Sequence, residues 1–189
     1  MDLLWIEFLN SDWRDWRRGH QSADRLDTPT WLASFLQRWE ISVPSPPTSI
    51  DIGALKELRG LMRNMAEGAV EGKRPTVEQL KRLNAVLAEA PMVRVLGDRN
   101  DHLQLALIPM ETGWAFVRAE IAASFAESLR QGGENRIRIC ENPDCRWVFY
   151  DDTRNRTKRY CDDKVCGNVM KVRRFRSRQR KNGSSQPDD

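Results

Sequence analysis

Residues 136–168 read RIRICENPDCRWVFYDDTRNRTKRYCDDKVCGN, and this run holds all four cysteines of a 189-residue chain. Cys140, Cys145, Cys161 and Cys166 are spaced C-x4-C, fifteen residues, C-x4-C. Two close pairs joined by a loop of that length suit one tetrahedral ion, because each pair offers two thiolates from a single tight turn. Zn²⁺ fits best. It is redox-inert, takes sulfur at about 2.3 Å, and with four thiolates keeps no open position for catalysis. Two disulfides, free thiols or an iron–sulfur cluster are the alternatives that the spacing leaves open. Asn142-Pro143-Asp144 is the turn chemistry a loop needs to fold back on an ion.

Working outward, Arg136–Ile139 and Trp147–Tyr150 read as the arms of a hairpin, and Asp151–Asn155 as a turn. Tyr160-Cys161 brings the chain back. Cys166 is expected to open a helix on which Val165, Val169, Val172 and Phe175 share an apolar stripe. Knuckle, hairpin and ligand-bearing helix together predict a treble-clef-like zinc module at residues 136–181, followed by a disordered tail at 182–189. So few residues cannot bury an adequate core, so the metal is expected to replace it. Four thiolates on Zn²⁺ carry a formal charge of −2, which Arg146, Arg159 and Lys164 are expected to neutralise.

The net charge of +4 is unevenly spread. Residues 136–189 carry 15 Lys and Arg against 8 Asp and Glu, a net of +7, while residues 1–135 carry 16 against 19, a net of −3. From Lys164 to Lys181 there are eight basic residues and no acid. Such a block attracts polyanions, since each neutralised phosphate releases counterions. Lys171, Arg173, Arg174, Arg176, Arg178, Arg180 and Lys181 are too many, and too far along, to serve one metal cluster. Arg predominates among them, which favours bidentate phosphate and guanine contacts.

Residues 1–133 predict a mainly helical α+β domain with one small β element. The apolar opening Leu3–Leu9 is a short strand or a helical turn, and Trp13–Gly19 has no clear assignment. Thr28-Pro29-Thr30 starts a helix with Trp31, Leu32, Phe35, Leu36 and Trp39 on one face. Val43–Ser49 is a proline-rich loop. Leu55, Leu58, Leu61, Met62 and Met65 mark a second helix. Thr76-Val77-Glu78-Gln79 has capping-box spacing, and opens a third helix that points Leu80, Leu83, Val86 and Leu87 inward. Met92–Leu96 and His102–Leu107 alternate as two strands around a Gly97–Asp101 turn. Trp114–Leu129 is a long helix stopped by Gly132-Gly133. Asn10, Trp13, Arg14 and Arg17, with Trp16 beside them, form a candidate ligand pocket, the plainer reading being aromatic residues that close the core with arginine at its rim.

Read as a unit, Arg136–Cys140 through Cys145, Phe149-x-Asp151, Thr153-Arg154-Asn155, Lys158–Cys161, Cys166-Gly167-Asn168 and Lys171 resemble the CGNR zinc-finger family. Upstream, Leu3–Asn10, Asp24-Arg25-Leu26 with Trp31-Leu32, and Leu80-x-x-Leu83-Asn84 are similar to the ABATE domain that accompanies this finger. The namesake arginine is Val169 here. The resemblance implies a bacterial-type, stress-induced transcription regulator, with a DNA-binding finger and an N-terminal sensing or dimerisation domain.

Function therefore divides into three classes. DNA binding would use the lysines and arginines after Cys166 for phosphate, together with Lys158, and Arg154, Asn155 and Arg156 for base edges. An RNA- or protein-binding module with purely structural zinc is the alternative, with Trp147, Phe149 and Tyr150 as stacking surfaces. An enzyme is not expected. His20 and His102 have no catalytic or metal spacing, and neither a phosphate-cradling glycine loop nor a nucleophile elbow occurs. A small-molecule effector and a homodimer are compatible with the sequence. No apolar run approaches the roughly 20 residues of a membrane span, and Met1–Glu7 has no signal-peptide pattern, so the expected location is cytoplasmic.

Overall fold

The computed structural model describes residues 3–15, 21–99 and 102–183. Among the described residues, six α-helices and three two-stranded antiparallel sheets alternate along the chain. The apolar opening is helical: α1 (Leu4–Leu9) buries Trp5, Phe8 and Leu9 completely. The segment without a clear assignment contributes β1 (Asp12–Asp15), paired with β2 (Gln21–Asp24). Asp24 then caps a 3-10 turn by accepting from the Leu26 N–H at 3.0 Å. α2 (Pro29–Arg38) begins on Pro29, as expected, and buries Leu32, Phe35 and Leu36, with Trp31 and Trp39 half-buried at its margin.

α3 (Ser49–Val70) starts about two turns before Leu55. The Thr48 hydroxyl accepts from the Asp51 N–H at 3.2 Å, and the Asp51 carboxylate accepts from the Thr48 N–H at 2.8 Å. This reciprocal cap overrides the loop reading of Ser49. α4 (Val77–Ala88) opens on the expected Thr76–Gln79 box. Its inward face is narrower than expected: Leu83 is buried and Val86 and Leu87 pack on the core, but Leu80 is exposed, since the helix reaches the core only from Leu83 onward.

β3 (Met92–Arg99) and β4 (His102–Pro109) form the expected hairpin, longer than its alternation suggested. Gly97, Asp98 and Arg99 continue the ladder rather than turning; Asn100 and Asp101 lie outside the described residues. α5 (Trp114–Arg130) is the central helix. Phe125 meets Trp5 edge-on at 5.2 Å, and the Trp5 indole donates to Ser128 Oγ at 2.8 Å. Gly132, at φ +72°, ends the helix in the left-handed conformation that glycine adopts without steric cost.

The third sheet joins the two ends of the chain. β5 (Ile137–Ile139) pairs with β6 (Val148–Tyr150), placing Ile137 opposite Tyr150 and Ile139 opposite Val148 on one face, and Arg138 opposite Phe149 on the other. The first face lies on the helical core, where Ile137 and Val148 are fully buried with Trp5 and Phe125. Phe149 turns to a second cluster, with Cys140, Cys145, Tyr160 and Cys166. The zinc segment thus shares its hairpin with the main core. The expectation that metal alone replaces a core is corrected accordingly.

Candidate metal centre

Cys140 follows β5 directly, and its N–H donates to the Trp147 carbonyl at 2.8 Å, closing the base of the knuckle. The Asn142 carbonyl accepts from the N–H groups of Cys145 (2.9 Å) and Arg146 (3.2 Å), with Arg146 at φ +53°. The return segment is held alongside, the Glu141 N–H donating to the Arg159 carbonyl at 3.0 Å. Cys166 sits in a π-helical turn, Asp163–Gly167, that runs into α6 (Asn168–Gly183). The Asp162 carboxylate caps that turn by accepting from Val165 N–H at 2.9 Å.

These elements bring all four sulfurs within 4.8 Å of one another, with Cys145–Cys161 at 3.7 Å and Cys161–Cys166 at 3.8 Å. A tetrahedron of zinc–sulfur bonds near 2.3 Å has sulfur–sulfur edges of about 3.8 Å. The cysteines are free rather than paired in disulfides, and three of the four are buried, Cys161 being half-exposed. Proton chemistry points the same way. Hydrogen bonds from the Cys145 and Cys161 thiols bring Cys140 down to about 2, while its proximity pushes Cys145 up to about 12 and Cys161 further still. Thiolates packed this closely repel one another, so a fully ionised set calls for a cation among them. The four sulfurs form a single zinc site.

The charge on this site is met by N–H groups more than by cations. Backbone N–H groups of Cys161 and Asn142 point to the Cys140 sulfur and that of Trp147 to Cys145. The fully buried Asn142 side chain donates to Cys166 Sγ at 3.6 Å. Arg159 pairs instead with Glu141, and Arg146 lies 4.0 Å from Glu67. The neutralising role expected of these two is thus replaced by carboxylate pairing; Lys164 is exposed.

Residues 136–179 match the model of the CGNR zinc finger, and residues 2–132, more than half of the chain, match ABATE, described as "Putative stress-induced transcription regulator". The chain belongs to the ABATE family. Its CGNR finger carries the four-cysteine site, and comparison with curated proteins gives no match. At the position of the motif arginine, Val169 is half-buried, and Met170 rather than Val169 packs on the sulfur cluster.

The cationic residues of the finger fall into two sets. Arg173 is bound to Asp144 at 2.6 Å, and Arg174 donates to the Tyr160 hydroxyl at 2.9 Å and to the Met170 carbonyl at 3.2 Å. Both brace α6 against the finger. Lys171, Arg176, Arg178 and Arg180 are exposed and make no ion pair with a described residue, as is true of Arg154 and Arg156. Lys158 lies over the Phe149 ring at 5.8 Å. The side chain of Lys181 lies outside the described residues. The expected apolar stripe is corrected in its outer half: Val165 packs on the sulfur cluster, but Val172 and Phe175 are exposed because α6 leaves the finger after its first turn.

Two residues named in the sequence have organising roles that its reading did not assign. Asp151 is fully buried, and its carboxylate accepts from the Thr153 N–H (3.0 Å), the Thr153 hydroxyl (2.5 Å) and the Lys158 N–H (2.9 Å). It shapes the whole 151–158 loop, and the Asp-x-Thr spacing is the available signal for such a turn. Asn10 clamps the finger to the ABATE domain, donating from Nδ2 to the Val148 carbonyl at 2.8 Å and accepting from its N–H at 2.9 Å. Asn10 also lines a cavity of about 360 Å³ with Arg25, Arg38, Trp39, Trp147 and Cys161 among others. The side chains of Trp13 and Arg14, and all of Trp16 and Arg17, lie outside the described residues.

Proposed function

We propose that this ABATE-family protein is a zinc-dependent DNA-binding transcription regulator whose finger presents α6 and the 151–158 loop to a duplex. The observation that carries the reading is α6 itself. Every residue from Lys171 to Arg180 is exposed, and four of its cations have no ion-pair partner among the described residues. A helix that buries no side chain along ten residues gains little from its own sequence in water, whereas a phosphate-lined groove supplies both the charge and the surface it lacks. In this reading Lys171, Arg176, Arg178 and Arg180 contact phosphate, and Arg154, Asn155 and Arg156 are the base-reading side chains. Arg173 and Arg174 hold the helix at its angle to the zinc site, and the N-terminal domain senses or dimerises. Zinc is structural and no catalytic step is assigned.

RNA binding through stacked bases is the less supported reading. Phe149 is buried beside the sulfurs and Tyr150 packs toward the helical core, which leaves only half-buried Trp147 of the three aromatics. No helix among the described residues is long and apolar enough to cross a membrane.

The experiment is selection from random duplex DNA with zinc-loaded protein, followed by salt titration of the enriched sequence. Arg176, Arg178 and Arg180 changed together to Ala should lower the slope of log K against log salt by about 3, roughly 0.9 for each lost phosphate. An unchanged slope moves the contact surface elsewhere. Stronger binding to single-stranded RNA at matched salt would favour the alternative.

A further inference from the structure

The β3–β4 ribbon contacts no other element extensively, yet it carries the largest run of exposed apolar side chains among the described residues. Directly opposed residues of an antiparallel pair share a face. One face therefore carries Met92, Arg94, Leu96 and Asp98 from β3, with Leu103, Leu105, Leu107 and Pro109 from β4. Leu96, Leu103, Leu105 and Leu107 are 64, 73, 68 and 60 % exposed. Val93, Val95 and Ile108, on the opposite face, are 36, 39 and 43 % exposed. A lone two-stranded ribbon is marginal in water, and a bare leucine face makes it more so.

We propose that this face is the interface with a second copy of the same chain. Its pattern complements itself. Leu96 stands opposite Leu105; Arg94 and Asp98 flank Leu96 at equal distance, and Leu103 and Leu107 flank Leu105. A two-fold axis lying between two ribbons, perpendicular to the strands at the Leu96–Leu105 level, lays β3 antiparallel over its copy. Leu96 then meets Leu96, and Leu103 meets Leu107. Arg94 of each copy faces Asp98 of the other, giving two ion pairs that frame eight leucines. Neither Arg94 nor Asp98 has an ion-pair partner among the described residues. A single apolar patch would accept many partners; a palindrome of opposite charges around it selects its own copy.

The area is adequate. The four exposed leucines amount to roughly 500 Å² of apolar surface per copy, so a contact that covers them all buries about 1,000 Å² in total, near the lower bound for a specific interface. A dimer of that size dissociates on dilution. The inference stands independently of DNA binding.

Sedimentation equilibrium of the full-length, zinc-loaded protein over a wide concentration range tests it. The expected result is a monomer–dimer equilibrium. Leu105→Asp should shift it to monomer, with helix content and zinc stoichiometry unchanged. The decisive arm is charge reversal: Arg94→Asp or Asp98→Arg alone should weaken the dimer about tenfold or more, and the two together should restore it, because the palindrome is then re-formed with its signs exchanged. A wild type that stays monomeric throughout would overturn the proposal and assign the face to a different partner. So would a dimer indifferent to Leu105→Asp, or a double reversal that fails to rescue.

Discussion

At the scale of single residues, one buried carboxylate and one half-buried one do more than their place in the sequence suggests. Asp151 satisfies two backbone N–H groups and a hydroxyl from a position without solvent exposure. Asp151→Ala leaves the N–H groups of Thr153 and Lys158 without their acceptor. The expected cost is about 2–3 kcal/mol, read as a lower denaturant midpoint with the zinc stoichiometry retained at neutral pH. Asp24 is held by Arg59 at 2.8 and 2.5 Å, and Arg59 also donates to the buried Ser11 at 2.8 Å. Burial alone would raise the Asp24 pKa. The Arg59 and Leu26 hydrogen bonds and the charges of Arg59 and Lys56 outweigh it, so the carboxyl titrates below its ordinary value of 3.8. A folded pKa depressed in this way contributes stability above the unfolded value and loses it as pH falls through the folded one. Asp24→Asn should therefore lower the melting temperature at pH 7, and the gap from wild type should shrink below about pH 4. A gap that stays constant to pH 3 would show that the Asp24–Arg59 pair is not the source. The pair was invisible in the sequence, since 35 residues separate its members and only the docking on α3 of the 3-10 turn that Asp24 caps brings them together.

At the scale of elements, legibility followed locality. α2, α4 and α5 were readable because an apolar period of 3.6, a proline or a capping box is written within a few neighbouring residues. The start of α3 was missed although Thr48-x-x-Asp51 has the same capping logic, because the prolines before it marked the segment as loop. The inward set of α4 was overcounted, and the outer half of the α6 stripe was misassigned, for one shared reason: periodicity tells which side chains share a face, not whether anything lies against it. The joint between α5 and β5 gives a direct test. A Cβ on Gly133 would lie 2.1 Å from the Ser128 carbonyl oxygen and 3.2 Å from the Tyr150 ring. Gly133→Ala must displace the end of α5 or the finger, and is expected to cost about 1–3 kcal/mol. Alanine at neighbouring Gly132 is strained for a different reason, its φ of +72°. Equal stability of Gly133→Ala and wild type in urea would refute the close approach.

For the whole molecule, the finger and the helical body are coupled through one hairpin. Ile137 and Val148 belong to the body's core, while Phe149 between them in the register belongs to the zinc cluster, and Asn10 bonds both backbone groups of Val148. Removal of zinc should therefore weaken the body as well as the finger. If the hairpin leaves, two fully buried aliphatic side chains lose about 1.5–3 kcal/mol each, which corresponds to a fall of roughly 10–25 °C in the melting temperature of the body. Calorimetry with and without chelator checks this; a body transition unmoved by chelation would mean that the two parts fold independently. What the sequence by itself determined was the chemistry: four thiolates in two tight turns suit a tetrahedral ion, and a run of cations without acid makes a strongly positive segment, because both depend on composition and short spacing. What only the tertiary structure decided was the allocation of surface. The hairpin's two faces went to two cores, Arg173 and Arg174 became braces, and the leucines of the ribbon were left in water. Those outcomes depend on which distant segments meet, and that is set by packing of the whole chain rather than by any local pattern.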